Sequence, residues 1–296
     1  MQIKKVAVLG AGAVGSYVIW GLSQAENLSL GVIAEGERAG RLKENGCLIN
    51  RQVYRPEVWT PKEAHGADLL IVSLKYGALP GALDSIAQKV NPDNILHALI
   101  KVASHKEENG YCFNPETTIG IIFGEIKPPF ESERVQAVCT LFENAQIHFR
   151  VTDYIKEEMW SKFRLNVCNN LPQAILGAGV GCYSDSTHMK AISEGLKKEL
   201  EAIAQAKGID IGKADKSSSH GSAVPPKTRY STLQDLDAGR HTEIDMFSGA
   251  LMRMGKELGI PTPYNEYTYH IIKALEEKND GKFDYSKDTQ ESTWSK

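Results

Sequence analysis

A short apolar run, Val6-Ala7-Val8-Leu9, passes without a spacer into Gly10-Ala11-Gly12-Ala13-Val14-Gly15, and Tyr17, Val18, Trp20 and Leu22 then follow at helical spacing. Strand, glycine turn and helix stand in immediate succession. The spacing suits a tight turn at Gly10, close approach of the backbone to a ligand at Gly12 and close packing of the helix at Gly15. The helix N-terminus then points over the turn, where its unspent N–H groups favour a diphosphate. A bare G-x-G-x-x-G carries little weight, but one set between a strand and a helix points to dinucleotide binding. A parallel α/β sheet is therefore the fold expected of this part of the chain.

The next strand reads Leu28-Ser29-Leu30-Gly31-Val32-Ile33-Ala34 and ends at Glu35, twenty residues after the third glycine. An acidic side chain there accepts hydrogen bonds from an adenosine ribose and repels a 2′-phosphate, which favours NAD(H). Arg38 and Arg41 stand just beyond and are able to pair with that phosphate, so NADP(H) stays open. Residues 67–74 form a further buried-strand candidate. Lys75 follows at its end, where open α/β sheets hold ligands, and is either a cofactor contact or a solvated lysine. Residues 95–102, 118–123 and 147–151 also read as strands, with a helix over 135–141 between the last two.

Composition narrows the partners. A net charge of −3 with 24% charged residues offers no general basic excess for nucleic acid or anionic membrane, so small neutral or anionic molecules are the expected ligands. There is no signal-peptide pattern and no apolar run of the roughly 18 to 20 residues that span a bilayer, and a cytoplasmic address is expected. The five cysteines have neither C-x-x-C nor Cys/His spacing, which argues against a disulfide framework and against a metal site. Cys168 reads as a small core residue.

With 296 residues the chain is long enough for two domains. The pattern changes at Asp153, giving a division into 1–152 and 153–296. Residues 153–171, 186–207 and 241–258 carry apolar positions at helical spacing, with Gly208 and Gly259 as C-terminal stops. Residues 213–229 have the composition of a loop, for which mobility is expected, and the tail after Lys278 is polar. Inside the first helical stretch Lys162, Asn166 and Asn170 lie four apart, a nearly straight row on one helix face among Trp160, Phe163, Leu165 and Val167. Polar groups shielded from water without a partner cost about 1 to 3 kcal/mol each, so the row is either satisfied in a core or set to meet a ligand.

Taken together, the glycine turn, W-x-K-x-x-x-N-x-x-x-N over 160–170, S-T-L-Q-D from Ser231 and G-R-H-T-E-I-D from Gly239 resemble the ketopantoate reductase, or 2-dehydropantoate 2-reductase, family. Residues 67–75 and Pro261-Thr-Pro-Tyr-Asn265 look like that family too, and the likeness runs over nearly the whole chain. It implies an N-terminal Rossmann dinucleotide-binding domain and an all-helical C-terminal domain, with a 2-keto acid bound between them and reduced by NAD(P)H. It implies Lys162 as the catalytic lysine, with Glu243 beside it in catalysis. Asn166, Asn170, Ser231 and Asp235 would be the substrate-side residues, and Gly10, Ala11, Gly12, Ala13, Val14, Gly15, Glu35 and Lys75 the cofactor side. A D-2-hydroxyacid dehydrogenase of the same family using NADH, and a non-catalytic dinucleotide-binding regulator, are the alternatives. A homo-oligomer is compatible with the methionines at 246, 252 and 254, as is simple core packing.

Two departures from the family stand out. Glu35 occupies a position where many relatives carry an arginine for the NADP phosphate. In addition, the family has a strand ending in an Asn-Gly turn where Val90-Asn-Pro-Asp-Asn94 here runs directly into Ile95. Some twenty residues are wanting. A segment omitted between Asn94 and Ile95 is the expected explanation, because Lys106 to Asn109, ahead of Gly110, is too polar to replace that strand.

Overall fold

The computed structural model describes residues 2–82, 91–102, 104–107, 110–217 and 224–285, and the chain divides after Lys156 into two compact units. In the first unit, β1 (Lys5–Leu9), β2 (Ser29–Ile33), β5 (Glu57–Trp59) and β6 (Leu69–Val72) form a parallel sheet ordered β5-β2-β1-β6. Chain order reverses at β1, with β2 and β5 on one side and β6 on the other. In such sheets the crevice for ligands opens at the carboxyl ends of the strands where the order reverses. The helices α1 (Ala13–Leu22) and α2 (Gly36–Asn45) follow β1 and β2.

Helix α1 is buried on nearly every side, because a second layer covers it. That layer is built from β3 (Cys47–Ile49) with β4 (Gln52–Tyr54), and β8 (Ser104–Glu107) with β9 (Gly110–Phe113), two antiparallel hairpins joined where Ile49 pairs with Tyr111. Phe113 meets Tyr17 and Trp20 edge-on at 5.3 and 5.5 Å between ring centroids. Asn50 and Arg51 link β3 to β4 with φ of 49° and 65°, the left-handed pair that closes a two-residue hairpin, and Asn50 Oδ1 accepts a bond from Phe113 N. Neither hairpin was expected from the sequence. Their strands are short and do not alternate cleanly, and Asn109 of the Asn-Gly pair lies outside the described residues.

β10 (Gly120–Gly124) pairs in parallel with β11 (Phe149–Val151) and antiparallel with β7 (His97–Lys101), giving a third sheet ordered β11-β10-β7. Helix α3 (Glu133–Asn144) packs on β11, and Val6, Val8, Ile121, Phe123, Val138 and Phe142 share one core. Among the described residues β6 closes one sheet and β7 another, with no strand between Asn94 and Ile95. Val72 and Ile95, beside those two edges, are 44% and 46% exposed.

The second unit is helical: α4 (Ile155–Leu165), which starts in the last two residues of the first unit, α5 (Leu171–Leu176), α6 (Thr187–Ala206), α7 (Ile211–Ser217), α8 (Ser231–Asp237), α9 (Ser248–Leu258) and α10 (Pro263–Asn279). Val167, Leu171, Leu196, Leu200, Ile203, Ile244, Leu251 and Ile272 form its core, all fully buried. Gly259 ends α9 with φ of +68°, the left-handed stop expected of it. The start of that helix differs from expectation, because residues 241–247 are turns rather than helix. Residues 213–217 are helical, against the loop expected from their composition, and 218–223 lie outside the described residues. The Pro-Thr-Pro-Tyr-Asn motif caps α10: the Glu199 carboxylate, 8% exposed, accepts bonds from Tyr264 N, Asn265 N and Asn265 Nδ2 at 2.7, 3.0 and 2.7 Å. Among the described residues no helix is long and apolar enough to cross a membrane.

Candidate active site

The three glycines of the turn serve three purposes. Gly10 has φ of +107°, and a Cβ there would lie 2.7 Å from the Ser73 carbonyl oxygen. A Cβ on Gly15 would lie 1.9 Å from the Gly10 carbonyl oxygen, so only glycine lets α1 approach so closely. At Gly12 a Cβ would meet nothing within 4 Å. The space above Gly12 is open, and Gly12, the N-cap of α1, has no side chain of its own to cap the first N–H groups of the helix. This is a cradle that fits a diphosphate. Ala11 packs at the margin of the core, and Ser73 Oγ ties the turn down by donating to the Gly10 carbonyl at 2.7 Å. Ser73 directly follows the apolar strand β6, but no local pattern in the sequence marks it for this role.

Glu35 is exposed at the N-cap of α2 and does not bond to that helix's own N–H groups. Its carboxylate stays available. Arg38 and Arg41 are exposed on the same helix. Lys75 is exposed just beyond β6, at the start of the short turn Tyr76–Ala78.

In the second unit Lys162 is half-buried in the last turn of α4, and the polar row continues through a π-helical turn, Asn166–Asn170. The straight α-helical row drawn from the sequence is thus altered at its far end. Pro172 supplies a reason: it has no N–H for the Cys168 carbonyl and its ring crowds that carbonyl, so the helix widens ahead of it. The Tyr183 hydroxyl donates to the Asn169 carbonyl in the widened turn. Trp160, Phe163 and Val167 shield the row as expected, whereas Leu165 is 43% exposed and takes no part.

Asn170 is 4% exposed, and its Nδ2 donates to Asn166 Oδ1 at 3.2 Å and Ser231 Oγ at 3.5 Å. Its Oδ1 is buried with no hydrogen-bond partner. An orphaned buried amide oxygen is costly in a satisfied core and marks a place where a ligand hydroxyl would donate. Ser231 reaches this cluster through Gln173, which is wholly buried: Nε2 donates to the Thr228 carbonyl at 2.9 Å and Oε1 accepts from Tyr230 N at 2.8 Å. The two bonds hold the segment that begins α8. Nothing local in the sequence singled out Gln173, because its partners lie more than fifty residues away.

The buried Asp235 carboxylate is bonded to Arg240 at 2.9 Å. Glu243 is half-buried in the turn before α9. The neighbouring Thr242 is anchored by N and Oγ1, both 2.7 Å from Glu276 Oε1. Burial alone would raise the Glu276 pKa, but the Lys273 ammonium and the Thr242 donors outweigh it and hold the carboxyl below its ordinary value. Burial pushes the Cys168 thiol up to about 12, in keeping with a core residue. His105, Glu107 and Cys112 bring donor atoms within 4.8 Å of one another, a grouping their sequence spacing did not announce. Arg51 binds the Glu107 carboxylate at 2.6 Å, and the Cys112 thiol donates to it at 2.8 Å, so an ion pair already occupies the cluster.

A glycine-turn α/β unit followed by a helical unit carrying a shielded lysine–asparagine row defines a two-domain protein of the dinucleotide-binding class. The family profile described as ketopantoate reductase PanE/ApbA matches residues 6–120, and its C-terminal counterpart matches residues 154–276. The chain belongs to the ketopantoate reductase family. A 2-dehydropantoate 2-reductase of Mesorhizobium japonicum is 24% identical over 92% of this chain and 97% of its own. One of Pyrococcus horikoshii is 25% identical over 94% and 99%. That second alignment has 299 positions, against 94% of 296 residues here, which leaves about twenty of its positions without a counterpart in this chain. Among solved structures, a PanE/ApbA family ketopantoate reductase from Ralstonia eutropha JMP134 has a TM-score of 0.76 at 21% identity, covering 93% of this chain and 99% of that one. A D-mandelate dehydrogenase with NADH and anilino(oxo)acetate has 0.78 at 19%, with the same coverage.

Proposed function

We propose that this chain is a 2-dehydropantoate 2-reductase, reducing the ketone of ketopantoate to the alcohol of pantoate with a nicotinamide dinucleotide. The observation that carries the reading is the cluster of Asn166, Asn170 and Ser231 with its orphaned Asn170 Oδ1, one to two turns beyond Lys162 on a shielded helix face. The reduced nicotinamide of a dinucleotide whose diphosphate rests on the glycine turn would supply the hydride. Negative charge then grows on the ketone oxygen, and the Lys162 ammonium donates to it and delivers the proton. Asn166 positions the lysine and the substrate, Asn170 accepts from the substrate hydroxyl, and Ser231 donates to its carboxylate. Glu243, in the turn before α9, acts beside Lys162 on the catalytic side, and Asp235 supports α8 through Arg240. On the cofactor side the diphosphate lies over Gly12, with Lys75 at the strand end.

Lys162→Ala is the test. General-acid assistance contributes roughly 10²- to 10⁴-fold, so kcat with ketopantoate falls by that order while the dissociation constant of the dinucleotide changes little. A near-normal rate removes Lys162 from this role.

Glu35 favours a second reading, an NADH-dependent D-2-hydroxyacid dehydrogenase of the same family. A carboxylate at the ribose end repels the extra phosphate of NADPH, and NADH is the coenzyme we propose. Comparing KM for the two coenzymes, with ketopantoate and with aromatic 2-keto acids, separates the readings. A large NADPH advantage overturns the role given to Glu35.

A further inference from the structure

The polar row begins one turn earlier than the lysine. Glu158 lies four residues before Lys162 on α4 and is 0% exposed. A carboxylate taken wholly out of water has to be compensated by a cation or by several donors, and removing its partner is strongly destabilising. Side chains of a helix lean toward its N-terminus, so the long Lys162 chain is directed back over residue 158, and glutamate ahead of lysine at this spacing is the favourable order. Two further carboxylates meet α4 at Arg164. Asp215 on α7 binds Arg164 at 2.7 and 2.9 Å, and Glu201 on α6 meets the same guanidinium at 3.5 Å.

We propose that Glu158 is a positioning residue that holds the Lys162 ammonium in place through a buried i,i+4 ion pair. An ammonium has three N–H donors. One spent on Glu158 fixes the direction of the other two, leaving one for Asn166 and one for the ketone oxygen. Its place in catalysis rests on the function proposed above, whereas the ion pair itself does not.

The test is a double-mutant cycle read by thermal unfolding, which needs no activity. Lys162→Met strands the buried carboxylate and lowers Tm. Adding Glu158→Gln to it removes the stranded charge, so the double variant unfolds above the Lys162→Met protein. If the two losses simply add, the pair does not exist and the inference is overturned. The kinetic arm uses Glu158→Gln alone. It lowers kcat at least tenfold with the dinucleotide KM within twofold, while Glu157→Gln on the neighbouring face leaves both constants unchanged. A Glu158→Gln enzyme with normal kcat but reduced Tm makes Glu158 a packing residue only. A non-additive cycle in a protein that reduces no 2-keto acid upholds the pair and rejects the function.

Discussion

At Gly15 and Gly12 a single added methyl group tests two different things. On Gly15 it would sit 1.9 Å from a backbone oxygen, which cannot swing aside as a side chain can. Gly15→Ala is expected to force α1 away from the turn, lowering Tm by several degrees and abolishing dinucleotide binding together. On Gly12 the methyl enters open space, and the fold loses only the small preference of an N-cap for glycine over alanine, about 1 kcal/mol. Gly12→Ala should therefore keep most of its stability and still bind NADH at least tenfold more weakly, because the methyl fills the volume meant for the diphosphate. Titration calorimetry beside thermal unfolding checks both variants. Equal binding by wild type and Gly12→Ala would mean that the open space is not the cofactor cradle.

Between elements, Gln173 converts the start of α5 into a clamp on the segment entering α8. Gln173→Leu keeps most of the volume but leaves Tyr230 N without its partner and the Thr228 carbonyl with Val180 N alone, at a cost of about 1 to 3 kcal/mol. Ser231 would then lose its fixed distance from Asn170, so KM for the keto acid should rise severalfold while that for the dinucleotide stays put. Steady-state kinetics varying each substrate checks this, and parallel rises in both constants would point to general loosening. The same elements show what a sequence can reveal. The glycine turn and the Lys162–Asn166–Asn170 row were legible because their geometry follows from spacing within one strand–turn–helix or one helix. The π turn was not, since it arises from a proline clash, nor was Gln173, whose role appears only when distant segments meet. Residues 241–247 carry helical periodicity, yet Thr242 spends its hydroxyl on Glu276 and on Ile244 N, a local competition that periodicity does not register.

Across the whole chain, the first unit carries an interruption that its helical counterpart does not. Among the described residues the parallel sheet stops at β6 and the mixed sheet stops at β7, although Leu69 and Ile71 on one edge and Ile100 on the other pack against the same core. Strand edges beside a core are normally paired or covered, because an open row of N–H and C=O groups invites aggregation. The short turn Pro92–Asn94 passes directly into β7 at this interruption, and about twenty positions of the Pyrococcus horikoshii relative find no counterpart in the chain. One strand with its connection, inserted between Asn94 and Ile95, would continue the parallel sheet beyond β6. The polypeptide isolated from its natural source is therefore expected to have an intact mass above 32.6 kDa, with the added residues recovered in the tryptic peptide that contains Asn94. A mass of 32.6 kDa for a monodisperse, active protein would instead show that the interrupted sheet is native, and that the reductase works without a strand there.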